Sequence, residues 1–408
     1  MPPSKRKVTI LKQICKYIPR NLVPKLARKH GVDKQSRTFT PWSHVVSLLY
    51  AQLSHALSLN DICDALRNHA GALNDIREAV PPSRNGLSHA NRKRNPEMAQ
   101  ELFWSVFEHL RKISPGFGMG HGYKGVPHRF KRAVNAIDSS TIQLFANCLD
   151  WAKHRRRKAA AKMHLRLDLQ TFLPEFVIVK AANTHDSTEA KELCAGMKSG
   201  EIGIFDKAYV NFPHLFTLHE RGVFWVTRAK DNMQYKVMGQ HTPPNGKIIR
   251  DERIKLTVEN SVKAYPEEIR LVEATVKVNG KEKVMIFITN NFDWSPNSIC
   301  DLYKARWLIE VFFKQIKQTL QVADFLGYNK NTVKWQLWIA LLTYVLLRYI
   351  AYIREWSFSF PRFFTVLRGV LWSYLDMPSV LDRCGTAGAP VRFRATPEQG
   401  YLPGLVPL

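Results

Sequence analysis

The chain has 408 residues, with 60 Lys and Arg against 34 Asp and Glu, a formal charge of +26. Apolar residues make up 45%, enough to bury a large core, which excludes a disordered or low-complexity chain. So large a positive excess points to a polyanionic partner, nucleic acid or an anionic membrane surface.

Residues 1–38 read as a basic arm, with Lys and Arg throughout and Asp33 as the one acid. From Thr40 to about Leu110 the pattern is helical: Val45, Leu48, Leu49, Leu53 and Ala56 recur at three and four. Ser58 with Asp61 at the third helical position predicts a capping box. Pro81-Pro82 breaks the chain, Ser83 caps the helix RNGLSHANRKR, and Pro96 opens another. Short helices with a basic last member suit a DNA-reading module, or equally a solvated basic face. We take 39–125 as a helical DNA-binding domain.

The middle changes character. AVNAIDSSTIQL (133–144), AKMHLRLDLQ (161–170) and PEFVIVKAA (174–182) predict strands, being rich in β-branched and alternating apolar residues. A helix at 187–197, a strand EIGIFDKAYV (201–210), a helix near 211–221 and a strand VFWVTRAK (223–230) follow. This β-β-β-α-β-α-β order matches a ribonuclease-H-like α/β fold, with 126–230 the first part of that core. Residues 231–295 alternate again and carry turn signals at Pro243-Pro244-Asn245-Gly246 and Asn279-Gly280, so they read as a β insertion. Helical periodicity returns from Asn297, giving a core helix within 296–330 and a helical C-terminal region and tail over 331–408.

Within that region, Trp335–Ile353 is apolar but contains Gln336 and Arg348. A spanning helix needs about 20 predominantly apolar residues, so a buried helix is expected and no membrane partner. Six scattered cysteines without C-x-x-C pairs suggest thiols of a reducing compartment, and the basic N-terminus lacks the apolar run of a signal peptide. A cytoplasmic location follows.

Two acids interrupt otherwise apolar strands: Asp138 in AVNAIDSS and Asp206 after IGIF. A buried carboxylate costs several kcal/mol unless something positive meets it. Either alone could be a strand-end Asp bonded to loop N–H groups. In the ribonuclease-H topology, however, the first and fourth strands are neighbours, so the two would converge. A third acid, Glu310, lies in DLYKARWLIEVFFKQIKQTL. At about 100° per residue, Tyr303, Arg306, Glu310 and Lys317 fall within an arc of about 60°. Leu302, Ala305, Ile309, Phe312, Phe313, Ile316 and Leu320 form a separate core stripe. The plain alternative is a solvated face with Arg306–Glu310 as an i,i+4 pair.

The spacing Tyr303-x2-Arg306-x3-Glu310-x6-Lys317 resembles the Tyr-Arg-Glu-Lys signature of the insertion-sequence "IS-four" family of DDE transposases. IDSSTI around Asp138, the Asp206-x2-Tyr209 element, FWVTRAKDN, TNNFDWS and SRNGLSHANRKR are similar to family text. The likeness covers about residues 40–350. It implies a DNA-cutting and strand-transferring enzyme of cut-and-paste transposition, acting through a hairpin on the transposon end. Asp138, Asp206 and Glu310 would be catalytic and would hold two Mg²⁺ or Mn²⁺ ions, oxygen ligands suiting these metals. Tyr303, Arg306 and Lys317 would contact phosphates near the cleaved end. Further DNA contacts are expected from Arg84, Asn91, Arg92 and Arg94 on the third helix, and from Arg228 and Lys230. The partners implied are double-stranded terminal inverted repeats, target DNA and a second copy of the chain. Trp294 is one aromatic in reach of an unstacked base, or a core residue covering the insertion. The run Lys153–Lys158 is expected on DNA, and His185-Asp186 in a structural loop. Two other readings compete: a ribonuclease-H-like nuclease without strand transfer, and a non-catalytic DNA-binding protein descended from a transposase.

Overall fold

The N-terminal helices start where the sequence supplies a cap. The Thr40 hydroxyl accepts from Ser43 N–H at the head of Pro41–Ser54. Ser58 and Asp61 form a complete capping box on Leu59–Asn68, and Ser83 caps Arg84–Lys93. The computed structural model describes residues 8–34, 36–118, 125–144, 153–155, 158–181, 186–242, 246–278, 280–320, 327 and 329–384. The chain divides into two units. One is residues 1–122, 142–161 and 312–408, and the other is 123–141 and 162–311.

The first unit is largely helical. Its centre is Lys330–Ile353, buried from Trp335 to Ile350 and packed on Glu97–Ile113, Pro41–Ser54 and Arg84–Lys93. It is the one described helix long and apolar enough to cross a membrane, and 83% of its most apolar window is buried inside the fold. Residues 1–38, read as a basic arm, carry two helices, Ile10–Cys15 and Leu22–Lys29. Ile10, Leu11, Ile14, Val23 and Leu26 are buried, because apolar residues at helical spacing lie between the lysines and arginines. The tail beyond residue 384 and the side chains of Lys153–Lys158 lie outside the described residues, as do Pro243 to Asn245, Asn279 and His185.

The second unit is built on a large mixed sheet. The strands of the sheet are β1 (Val134–Leu144), β2 (Lys153–Arg155), β3 (Lys158–Asp168), β4 (Leu173–Ala181), β5 (Ile202–Phe205), β6 (Phe224–Arg228), β7 (Tyr235–Gln240), β8 (Ile248–Leu256), β9 (Ile269–Val278) and β10 (Lys281–Thr289), of which β2, the end of β1 and the start of β3 fall within residues 142–161 of the first unit. The order runs β4-β3-β1-β5-β6-β10-β9-β8-β7, with short β2 beside β3. The first and fourth long strands pair in parallel, Ile137 opposite Phe205, and β5 pairs in parallel with β6. β5 is buried along its whole length, as a central parallel strand covered on both faces must be.

Residues 231–295, read as an insertion, extend this same sheet: β10 pairs antiparallel with β6, and β9, β8 and β7 follow. Gly280 at φ 77° makes the tight β9–β10 turn, where the residue must accept a left-handed backbone. On one face, Ile137, Phe205, Leu215, Leu218, Trp225 and Tyr265 share one core. The helix Pro296–Ala305 packs on β5, β6, β8, β9 and β10.

Asp168, buried at the end of β3, accepts from Gln170 N–H at 2.8 Å and from the Thr171 hydroxyl at 3.0 Å. Burial nevertheless pushes its carboxyl up to about 6, above the ~3.9 of an unfolded chain. Folding therefore binds a proton. The stabilisation it gives is full below about pH 4 and is lost as pH rises through about 6. Asp168→Asn removes this loss, so its stability relative to the parent should rise between pH 4 and pH 7, by at most about 3 kcal/mol. Thermal melts of both proteins at the two pH values measure the difference.

Candidate active site

Asp138 and Asp206 each stand one residue beyond the paired Ile137 and Phe205, on adjacent parallel strands. Asp206 ends β5 and caps the short 3-10 turn Lys207–Tyr209. Glu310 comes from the helix Trp307–Lys314, which follows Pro296–Ala305 after a break at Arg306. The predicted apolar stripe of this segment is buried in full, from Leu302 to Leu320, and that burial orients the polar stripe.

Arg306 meets all three acids. Nη1 donates to Asp138 Oδ2 at 2.8 Å and Nη2 to Glu310 Oε1 at 2.8 Å, while Nε lies 3.9 Å from Asp206 Oδ1. The Tyr303 hydroxyl donates to Asp206 Oδ1 at 3.4 Å, and its ring packs on Phe287 at 5.1 Å. Burial pushes the Asp138 carboxyl up to about 6, opposed by Arg306 and by the Ser139 N–H at 2.7 Å. Burial works against the Arg306 charge, but Asp138, Tyr303, Asp206 and Glu310 outweigh it and hold the guanidinium above its ordinary value. The arrangement is three carboxylates around one cation. Among the described residues no three metal-ligating side chains stand as a ready cation site, and the guanidinium lies between Asp138 and Glu310. The donor set is oxygen only, which suits Mg²⁺ or Mn²⁺ and not zinc.

Arg228, half-buried at the end of β6, acts electrostatically on Tyr303. With exposed Lys230 and Asp231 it lines a cavity of about 330 Å³ together with Met233, Tyr235 and Met285. Trp294 lies elsewhere. It packs on Phe130 at 5.6 Å and on Phe224 at 5.3 Å, and Phe224 pairs with Ile202 at the start of β5. The acids follow the other end of that strand, about 13 Å away along four residues. Trp294 is therefore a packing residue, not an aromatic of the acid site. Besides Tyr303, the aromatic next to Arg306 in the chain is Trp307, 51% exposed. On the helical wheel it falls about 40° beyond Tyr303, outside the arc of Tyr303, Arg306, Glu310 and Lys317 and on the side away from the apolar stripe, a position the spacing does not single out.

In the helical unit, Arg84 and Arg92 are exposed as expected, but Asn91 is not. It is buried with its amide oxygen 2.8 Å from His44 Nε2, on the same helix face as Leu87 and Ala90, and so is removed from base reading. Arg94 is half-buried and donates to the carbonyls of Phe39 and Thr40. Lys317 sits on a π-helical turn, Gln315–Thr319, where burial lowers its pKa. The Thr319 carbonyl of that turn accepts from His55 Nε2 at 2.6 Å. Arg368 lies 2.9 Å from His55 Nδ1, and the ring stacks on Phe364. A guanidinium only donates, so Nδ1 accepts and Nε2 carries the proton. His55→Ala leaves the turn carbonyl and Arg368 without these bonds and should cost about 1–3 kcal/mol, read from the urea midpoint.

A family model described as Transposase DDE domain matches residues 129–346, and a Domain of unknown function (DUF4372) matches residues 6–76. A protein of Sinorhizobium fredii assigned as transposase y4zB is 31% identical over 60% of this chain and 69% of its own. One from Geobacillus stearothermophilus, assigned as the transposase of insertion sequence element IS5377, is 28% identical over 54% and 58%. One from Synechocystis, assigned to element IS4SA, is 22% identical over 66% and 72%. With these matches the chain belongs to the DDE transposases of the IS-four family: it is the DNA-cleaving and strand-transferring enzyme of an insertion sequence.

Proposed function

We propose that the second unit is a ribonuclease-H-like core and that Asp138, Asp206 and Glu310 are its catalytic acids. The observation that carries this is their convergence on one guanidinium from three separate elements. The same residues are the ligands of two Mg²⁺ or Mn²⁺ ions, which when bound supply an activated oxygen nucleophile and stabilise the leaving oxygen. Tyr303, Arg306 and Lys317 bind phosphates at the cleaved end, Arg by its fork and Lys as a point charge. Arg228 and Lys230 continue that cationic track. Exposed Arg84 and Arg92 belong to the surface that binds the terminal inverted repeat.

The enzyme cuts and pastes through a hairpin on the transposon end. Hairpin formation bends the terminal stack, and turning out one base relieves the bend at a cost of a few kcal/mol. Trp307 offers a platform at the acid end of the strands. Two ends must be brought together, so the DNA-bound form is a dimer, and the protein works in the bacterial cytoplasm. The test is cleavage of a labelled duplex carrying the DNA that flanks the coding sequence. Metal-dependent nicking at the repeat border followed by a hairpin supports the whole reading. Nicking that stops at hydrolysed ends favours a nuclease without strand transfer.

A further inference from the structure

The two oxygens that Arg306 binds most closely, Asp138 Oδ2 and Glu310 Oε1, belong to the carboxylates a divalent ion would need. Arg306 is 14% exposed at its side chain, and its Nε hydrogen-bonds to nothing while pointing at the third acid. The guanidinium takes one acceptor site on each of these oxygens and sets a positive charge between the carboxylates, so it competes with a divalent ion for them. Arg306 lies on the same helical segment as Glu310, four residues before it, so it stays within reach of the acids whenever nothing else binds it. A phosphate diester is the one expected ligand that competes for it, with an oxygen pair matched to its fork.

We propose that Arg306 makes metal loading contingent on DNA. In the free protein it serves as the counter-ion of the three acids and holds divalent ions off. A phosphate of bound DNA draws it away, and the acids become available. By linkage, metal then tightens DNA binding by the same factor that DNA tightens metal binding. The value of such a device is specificity, because an enzyme loaded only on DNA leaves other phosphate esters intact. The proposal rests on the reading of Asp138, Asp206 and Glu310 as metal ligands.

The experiment uses full-length protein without DNA and Mn²⁺ alone, with free Mn²⁺ measured by electron paramagnetic resonance. Arg306→Lys keeps a charge but lacks the planar fork that reaches both carboxylates here, and Arg306→Ala removes the competitor. Both should bind Mn²⁺ at least about tenfold more tightly than the parent, one step of roughly 1.4 kcal/mol. If the Ala variant unfolds without metal, Arg306→Lys decides, supported by a larger Mn²⁺-induced rise in Tm than the parent shows. Equal or weaker Mn²⁺ binding by the Lys variant overturns the proposal while leaving the metal-ligand reading standing. Asp138→Asn placed on Arg306→Lys should abolish the gain. If the tight binding persisted there, the ion would lie elsewhere, and the metal-ligand reading would fail together with the proposal. A fluorescent duplex of the element's end completes the cycle: Mn²⁺ should tighten its binding more for the parent than for Arg306→Lys. An equal effect in both would refute the DNA half.

Discussion

Asp138→Ala, Asp206→Ala and Glu310→Ala should each abolish strand cleavage, by about a thousandfold or more, while binding to transposon-end DNA persists. As the proposed metal ligands, the carboxylates would hold the cations that stabilise charge at phosphorus, worth several kcal/mol, and each 1.36 kcal/mol of barrier is tenfold in rate. Affinity for DNA has a different source, Lys and Arg on phosphates, and this chain carries a formal charge of +26. The folding effects should differ among the three. Asp138 is the most buried, and its loss leaves one arm of the Arg306 fork unpaired. Breaking a buried pair costs about 3–5 kcal/mol, and this one is only partly buried, so the loss of stability should be smaller. A gel shift, a nicking assay with Mg²⁺ and a thermal melt on each variant separate the three effects. Retained nicking in any one variant removes that residue from the catalytic set.

What the sequence made legible follows from periodicity. The segment from Tyr303 to Lys317 could be read because a 3.6-residue period separates its two stripes, and every residue of the apolar stripe is buried. Asp138 and Asp206 stood out as charges in apolar strands, and the parallel pairing of β1 with β5 brings them together. Other features had no local signal. A period of two tells which face a residue occupies but not which strand it pairs with, so nothing showed that β10 joins β6. Asn91 looks exposed by type, and its partner His44 is 47 residues away. The N-terminal helices were hidden by their lysines, although Ile10, Ile14 and Leu26 carried the spacing. The π-helical turn under Lys317 ends on a carbonyl held by His55, a contact 264 residues distant in the chain.

Trp307→Ala should leave first-strand nicking nearly intact and reduce hairpin product about tenfold. In the proposed hairpin step the freed 3′-hydroxyl would have to reach the opposite strand, so the terminal pairs would bend sharply and a base would leave the stack to permit it. Stacking on an aromatic side chain returns about 1–3 kcal/mol per base, equivalent to roughly fivefold to more than a hundredfold in rate. Trp307 is 51% exposed, directly follows the arginine that bridges Asp138 and Glu310, and lies about one helical turn from Tyr303. Exposing so large an apolar ring to water is unfavourable by itself, which a stacking role would offset. Trp294 is the control. It is fixed between Phe130 and Phe224 at the other end of β5, and its backbone carbonyl accepts from Arg270 at 2.6 Å. Trp294→Ala should therefore lower thermal stability, by less than the about 3–5 kcal/mol of a fully buried aromatic because Trp294 is half-buried, without changing the ratio of hairpin to nick among folded molecules. Arg306→Ala should also shift that ratio toward nick, because phosphates crowded at the bend lose their neutralising fork. Denaturing gels of end-labelled duplex resolve the nicked strand from the slower hairpin. An unchanged hairpin ratio in Trp307→Ala would exclude this ring as the platform and leave Tyr235, in the cationic cavity beside Arg228, as the aromatic to test.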